Sequence, residues 1–142
     1  MTMDEQKAKI IELVSGLNVG VISTVTEDGQ PQGAVVEFAM TDDLEIVFNT
    51  FTTYRKYENL RKNPKTSFTI GWEHDVTVQY EGLSRELSGD EEKKYKEIFA
   101  QKYRNASKWD AFPETRYFTV KPTWIRYNDL NKQTKEAFVL HF

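Results

Sequence analysis

Three short apolar segments separated by turn residues constrain the fold of this chain more than any other feature. A β-branched run covers residues 19–26, the turn cluster Glu27-Asp28-Gly29-Gln30-Pro31 follows, and a second apolar run covers residues 34–40. A further turn at 41–43 leads to a third predicted strand at 45–49. Sequential strands joined by tight turns indicate an antiparallel meander and argue against a doubly wound sheet.

Apolar spacing in the rest of the chain predicts three helices and four more strands. Helices are predicted over residues 3–16, 54–62 and 89–103, the first and last with capping-box spacing at Thr2/Glu5 and Ser88/Glu91. Strands are predicted over residues 66–72, 76–87, 116–127 and 137–142, with a loop over 105–114. Gly82 interrupts the predicted strand 76–87, where a bulge would let a long strand bend around a closed barrel.

The length and composition predict one domain that is mainly β with flanking helices. Residues 1–142 match the size of a single domain, which is usually about 100 to 150 residues. Aromatic residues make up 13% of the chain, and this share of bulky side chains argues against disorder. One core with one function is therefore expected.

The composition also argues against several classes of function. With 19 Lys and Arg against 22 Asp and Glu, the formal net charge is -3, which favours neither nucleic acid nor an anionic membrane. No apolar run approaches the roughly 18 residues that span a bilayer, and residues 1–9 do not resemble a signal peptide. Cysteine is absent, so disulfides, thiolate metal sites and cysteine nucleophiles are excluded. We expect a cytoplasmic protein.

The segment 45–56 leads from a strand through small polar residues into a helix. The first turn of that helix carries Arg55 and Lys56. Two cations at a helix N-terminus destabilise it by roughly a few tenths of a kcal/mol each unless an anion lies between them. Further donors come from three threonine hydroxyls, those of Thr50, Thr52 and Thr53. The segment is thus a candidate phosphate site; the alternative is a solvated surface helix with basic residues.

Histidine and tryptophan residues are the other candidates for chemistry. His74 lies between two predicted strands, and with His141 as the only other histidine we interpret it as a turn residue and predict no metal site. Trp109 and Trp124 could stack on a bound ring, although packing is the more common role of such aromatics. Trp109 is the better candidate because it lies in a predicted loop.

Four parts of the chain form an ordered series. They are Val21-Ile-Ser-Thr-Val25 with Asp28-Gly29-Gln30-Pro31, Ile46-Val-Phe-Asn-Thr50 with Tyr54-Arg-Lys56, Asn59-Leu-Arg-Lys-Asn-Pro64, and Val120-Lys-Pro-Thr-Trp-Ile-Arg126. In order and spacing they resemble the FMN-binding split-barrel family of pyridoxamine 5'-phosphate oxidase and the general stress proteins. The resemblance implies a six-stranded antiparallel split β-barrel that forms a homodimer, with flavin mononucleotide (FMN) at the subunit interface.

The resemblance also implies roles for particular residues. Arg55 and Lys56 fall where the family holds the FMN phosphate, and Asn49 and Thr50 fall where strand-end residues contact the same group. Main-chain groups of the strand 33–38 would line the isoalloxazine and ribityl chain, among them those of Gly33, Ala34, Val35 and Val36. Thr77 falls where a polar side chain contacts the flavin from the partner subunit.

Two departures from the family pattern affect the expected activity. The oxidase branch ends in tryptophan, arginine and histidine residues that hold the substrate phosphate, whereas this chain continues Arg126-Tyr-Asn-Asp-Leu130 and ends with residues 136–142. This difference argues against pyridoxamine 5'-phosphate oxidase activity itself. Glu37 stands where the family uses a basic residue, which weakens that part of the phosphate site.

The resemblance implies an FMN-dependent oxidoreductase that acts on an unidentified small molecule. A flavoprotein needs no catalytic triad or metal cluster, because the cofactor carries the electrons and the protein sets orientation and access. The first alternative is a non-catalytic flavin-binding stress or sensor protein. Another is that haem, a deazaflavin or FAD takes the place of FMN in the same cleft. Turnover with a nicotinamide donor would distinguish the enzyme from the binding protein.

Overall fold

A computed structural model describes residues 1–131, 133 and 135–142 of the chain. Its three α-helices are α1 (Met3–Ser15), α2 (Arg55–Lys62) and α3 (Gly89–Lys102), and a 3₁₀ helix follows α3 at Ala106–Ala111. Its strands are β1 (Val19–Val25), β2 (Pro31–Met40), β3 (Ile46–Phe51), β4 (Lys65–Ile70), β5 (Val76–Glu86), β6 (Thr115–Asp129) and β7 (Glu136–His141).

The strands form one antiparallel sheet that closes on itself. Their order is β3-β2-β1-β4-β5-β6-β7, and β3 also pairs with β6. Six strands therefore close into a barrel, and β7 extends the sheet as an added strand along the C-terminal half of β6. The predicted meander is confirmed as β1, β2 and β3, and the predicted six-stranded split barrel with flanking helices is confirmed as well.

Several predicted boundaries differ from the structure. β2 begins at Pro31 rather than at residue 34, and proline is tolerated at the first position of a strand because no ladder hydrogen bond is required there. Part of the predicted loop at 105–114 is the 3₁₀ helix, whose last turn is closed by a bond from the Phe112 amide to the Trp109 carbonyl.

Among the described residues, none of the helices combines the length and hydrophobicity that crossing a bilayer requires.

The two predicted capping boxes have different outcomes. At α1 the Thr2 hydroxyl accepts from the Glu5 amide at 3.1 Å, and Glu5 accepts from the Thr2 amide at 3.0 Å, so the box is confirmed. At α3 the box is wrong, because Ser88 makes no side-chain cap bond although it does precede the helix. Glu91 instead accepts from the guanidinium of Arg85 on β5, with Nη2 and Oε2 2.8 Å apart.

The bulge predicted at Gly82 is confirmed. The register between β5 and β6 shifts between Glu81 and Gly82, where the long strand bends. A Cβ at Gly82 would lie 2.4 Å from the Lys121 carbonyl oxygen and 2.8 Å from Cγ1 of Val120. The two paired strands approach each other so closely at this bulge that only glycine fits.

Aromatic rings fill the interior of the barrel. Phe48 stacks on Phe118 with ring centroids 5.5 Å apart, and its edge contacts Phe68 at 5.7 Å. The buried Tyr80 hydroxyl donates within this core, with the Leu44 carbonyl oxygen at 2.7 Å. These four rings come from β3, β4, β5 and β6, and their burial in one continuous core stabilises the barrel.

The helices pack on different parts of the barrel. Ile10 and Val14 of α1 are buried in the main core. α3 packs outside the barrel, where Tyr95 and Phe99 join a second cluster with Val47 of β3. This arrangement leaves α2 at the end of β3, where a strand turns directly into a helix.

Candidate functional site

The barrel opens where β2 and β3 stop pairing. Their ladder covers only Phe38–Met40 of β2 against Ile46–Phe48 of β3, in three residue pairs. β2 nevertheless extends back to Pro31, and β3 continues to Phe51. The backbone of β2 before Phe38 therefore has no β3 partner, and the turn into α2 lies beside this interruption.

A cavity of about 420 Å³ occupies this corner, a volume within the range of small-molecule sites. We call it the corner cleft. Its lining comes from β1, β2 and the turn into α2: Ile22, Thr24, Gln32, Gly33, Ala34, Val35, Thr53, Tyr54, Arg55 and Lys56. The fold thus brings five residues predicted to bind the cofactor to one site, namely Gly33, Ala34, Val35, Arg55 and Lys56.

The cations of the cleft lie at an uncapped helix N-terminus. Tyr54 occupies the N-cap of α2 and makes no side-chain cap bond. Lys56 is half-buried, and this burial lowers the pKa of its ammonium group, which lies 4.8 Å from the centroid of the Tyr54 ring. Arg55 is exposed. An anion in the cleft would offset the desolvation of Lys56 and accept from both side chains.

The wall of the cleft formed by β2 carries small side chains. A Cβ added at Gly33 would meet no described atom nearer than Cγ1 of Val21 at 3.8 Å, an ordinary van der Waals separation, so no close packing requires glycine here. Val35 is 64% exposed, although it lies within a strand. Val36, by contrast, points its side chain into the core, so only its main chain is available to a ligand. Such a wall allows a flat ligand to approach the backbone closely.

Asn49 and Thr50 lie near the end of β3 and do not line the corner cleft. Thr50 is 3% exposed, and its hydroxyl oxygen is buried without a hydrogen-bond partner in the described part of the chain. Asn49 is placed opposite Tyr117 across the β3–β6 ladder, and its side chain interacts with the Tyr117 hydroxyl. Leaving a buried polar group such as the Thr50 hydroxyl without a partner costs about 1 to 3 kcal/mol.

Thr77 and Trp109 are placed away from the corner cleft. Thr77 lies on β5 opposite Asn128 of β6, and its predicted contact was to the cofactor of the partner subunit. Trp109 lies in the 3₁₀ helix, where its ring contacts Phe51 at 5.8 Å and its Nε1 is buried without a partner among the described residues. The Trp109 ring therefore serves mainly in packing. The same side chain also lines a second, smaller cavity.

The second cavity, of about 280 Å³, lies between β2 and the end of α3. Glu37 faces this cavity rather than the corner cleft, so its carboxylate does not oppose Arg55 there. Lys102 donates to the carbonyl oxygens of Phe38 at 2.8 Å and Val14 at 3.3 Å, and burial lowers its pKa to about 8. The departure at Glu37 therefore affects the second cavity and not the pair of cations at α2.

A family model described as pyridoxamine 5'-phosphate oxidase matches residues 6–129. The chain belongs to the pyridoxamine 5'-phosphate oxidase family. The match covers every element from within α1 to the end of β6, so the corner cleft lies entirely within the family domain.

Solved structures share the fold of this chain. General stress protein 26 of Bacillus anthracis is 25% identical, covers 96% of this chain and 99% of its own, and has a TM-score of 0.74. A protein related to general stress protein 26 from Clostridium acetobutylicum is 16% identical, with coverage of 99% and 97% and a TM-score of 0.74. A heme binding protein from Mycobacterium smegmatis has a TM-score of 0.81 at 17% identity, and its match covers 99% of this chain but 59% of the longer mycobacterial protein.

Three polar residues of this family member were not among the predicted site residues. Thr24 and Gln32 line the cleft from facing positions of β1 and β2, and Asn59 of α2 contacts both. A signal was present, because Thr24 alternates with the apolar Gly20 and Ile22 at the inward positions of β1. A polar residue at such a position needs a buried partner, but the strand pattern does not show that the partner is on α2.

The remaining predictions concern metal binding. His74 is exposed in the β4–β5 turn with a positive φ of 58°, as expected of a turn residue. Across residues 1–131, 133 and 135–142, no group of three or more His, Cys, Asp or Glu side chains is arranged to hold a metal ion.

Proposed function

We propose that this chain binds FMN in the corner cleft and acts as an FMN-dependent oxidoreductase on a small molecule. The observation that carries the proposal is the placement of Arg55 and Lys56 at the uncapped N-terminus of α2, facing the small-residue wall of β2. Membership of the pyridoxamine 5'-phosphate oxidase family supports the cofactor class.

The residues of the cleft suit the two ends of FMN. The Arg55 guanidinium, the Lys56 ammonium and the hydroxyl of Thr53 are donors for the phosphate, and the free amides of the first turn of α2 add to them. Gly33 and Ala34 allow the ring system to lie against the β2 backbone, which lacks a β3 partner there. FMN, when bound, supplies hydride or electron transfer, and the protein orients the ring and limits its access to water.

Haem is the second candidate because a structural neighbour is named a heme binding protein. Of the residues lining the corner cleft, only Tyr54 is of a type that ligates haem iron. The two cations of the cleft suit the propionates of haem as well as a phosphate, so the shortage of iron ligands is the feature that favours FMN. A non-catalytic flavin-binding protein remains the alternative to an enzyme, since the same cleft would serve both.

The cofactor is tested by the absorption spectrum of the purified protein and by titration with FMN, followed by quenching of flavin fluorescence. We expect saturable binding of one FMN per chain. A haem spectrum, or absence of FMN binding, would contradict the proposed cofactor. Turnover of bound FMN with a nicotinamide donor would support an oxidoreductase, whereas tight binding without turnover would support the non-catalytic alternative.

We also propose that the chain is a homodimer with the cofactor at the subunit interface. Val35 on β2 and Leu83 on β5 are 64% and 45% exposed, and apolar side chains on strand surfaces favour burial against a partner. The predicted role of Thr77 likewise requires a second subunit. Light scattering coupled to gel filtration is expected to give twice the chain mass, and a monomer at micromolar concentration would refute the dimer.

A further inference from the structure

A buried polar network connects α2 with β1 and β2 beneath the corner cleft. Asn59 is 8% exposed, and its Nδ2 lies 3.0 Å from Oγ1 of Thr24 and 2.9 Å from Oε1 of Gln32. Thr24 is 4% exposed, and Thr24 and Gln32 face each other across the β1–β2 ladder. One amide therefore holds two side chains that both line the cleft.

The hydrogen-bonding capacity of these groups determines what the cleft presents to a ligand. The Asn59 amide has two N–H donors, and both are used, one on each partner. The Gln32 side-chain oxygen accepts from Asn59. The Gln32 side-chain nitrogen is therefore on the side of the amide group that faces away from Asn59. No described protein atom accepts from that nitrogen or from the Thr24 hydroxyl proton. Both donors are thus left for a ligand in the cleft.

We propose that Asn59 is a positioning residue that makes this wall of the cleft a donor surface, with Gln32 as the side chain that contacts the anionic group. The proposal rests on the proposed FMN site and adds to it an uncharged donor opposite Arg55 and Lys56. A ligand group with acceptors only, such as a phosphate dianion, is bound by such a wall, whereas a group carrying its own hydroxyl donors gains less. Asn59 would thereby favour FMN over riboflavin, which lacks the phosphate.

Asn59→Asp is the most direct test. A carboxylate at this position only accepts, so it would turn the Gln32 amide nitrogen and the Thr24 hydroxyl toward itself and leave an oxygen of Gln32 facing the ligand. We expect FMN affinity to fall by at least about tenfold, with riboflavin affinity changed by less than about threefold. Because Asn59→Asp also adds a negative charge that repels a phosphate, Asn59→Leu is the uncharged comparison. It removes both hydrogen bonds, and an unchanged FMN-to-riboflavin ratio in Asn59→Leu would refute the positioning role.

A second variant acts on the contacting residue. Gln32→Glu keeps an oxygen for Asn59 and places the other carboxylate oxygen in the cleft, so it should lower FMN affinity at least as much as Asn59→Asp. Asn63→Asp is the matched control, because it adds the same charge at the C-cap of α2, and Asn63 does not line the corner cleft. Asn63 accepts from the Lys65 amide through Oδ1, an interaction that a carboxylate retains. We expect it to leave the ratio unchanged. Thermal unfolding of each variant verifies folding, and Gln32→Glu carries the test if Asn59→Asp does not fold.

The outcomes distinguish this inference from the proposed function. If the wild type binds FMN and both cleft variants keep its FMN-to-riboflavin ratio, the role of Asn59 is refuted while the cofactor proposal stands. If the wild type does not bind FMN, the cofactor proposal fails, and inorganic phosphate becomes the probe. Shifts of the Gln32 side-chain amide signals in NMR spectra on phosphate addition, lost in Asn59→Asp, would then support the donor wall; their absence in the wild type would overturn it.

Discussion

Replacing both cations of the corner cleft, as Arg55→Ala with Lys56→Ala, is expected to weaken FMN binding by about 2 to 4 kcal/mol, or roughly 30- to 1000-fold. Each side chain can donate to phosphate oxygens, and Lys56 does so from a half-buried position where attraction to an anion is stronger than in water. The lower end of the range applies if the exposed Arg55 contributes little. Fluorescence titration with FMN measures the loss.

A matched control lies on the same helix. Arg61→Ala with Lys62→Ala removes the same two charge types from the last turn of α2, where Arg61 pairs with Glu58 and Lys62 with Glu27 in exposed ion pairs. These pairs lie outside the corner cleft, so FMN affinity should change by less than about threefold. Riboflavin is the second control, since its affinity should respond little to either double variant. Unchanged FMN affinity in the cleft variant would remove the phosphate assignment.

Gly82→Ala is expected to lower the free energy of unfolding by about 3 kcal/mol, because the new methyl group would overlap a backbone oxygen. The Lys121 carbonyl oxygen would lie 2.4 Å from the Cβ, and the backbone of β6 must move to relieve the contact. The bulge at this position bends β5 around the barrel, so the displacement would affect the closure of the sheet. Urea denaturation followed by tryptophan fluorescence measures the difference.

Gly33→Ala is the control for this prediction. Gly33 also lies in a strand, but its nearest contact to an added Cβ is 3.8 Å, which is ordinary van der Waals separation. A less flexible unfolded chain should make this variant equally stable or more stable by roughly 0.5 kcal/mol. Equal effects of the two substitutions would show that any strand glycine, and not the close approach of β5 and β6 at the bulge, determines the loss of stability.

Local signals predicted most of the secondary structure. The turn at 27–31 and the alternation of apolar residues identified β1 and β2, and Asn63-Pro64 correctly marked the end of α2. The local rule failed at α3, where a contact with the preceding strand replaced the capping bond. Glu91 accepts from Arg85 at the end of β5, six residues earlier in the chain, instead of capping its own helix.

The candidate site was predicted in part. The charge conflict at the start of α2 pointed to Arg55 and Lys56 because two cations at a helix N-terminus are unfavourable without an anion. The family resemblance added Gly33, Ala34 and Val35, and the structure places all five residues around one cleft. Their roles toward a cofactor stay predictions. Asn59, whose side chain orients Gln32, entered the sequence analysis only as the first residue of the segment 59–64 that contributes to the family resemblance, and it was given no role at the site.

The sequence by itself determined where most strands lie along the chain, which glycine stands at the bend, and the unfavourable charges at the start of α2. These features follow from turn chemistry, periodicity and the helix dipole, which act over a few residues. Only the tertiary structure decided that β3 closes on β6, that β2 and β3 separate to open the cleft, and that Thr24, Gln32 and Asn59 meet beneath it. These features join residues far apart in the chain, and their free energy comes from burial and hydrogen bonds that exist only once the barrel has closed.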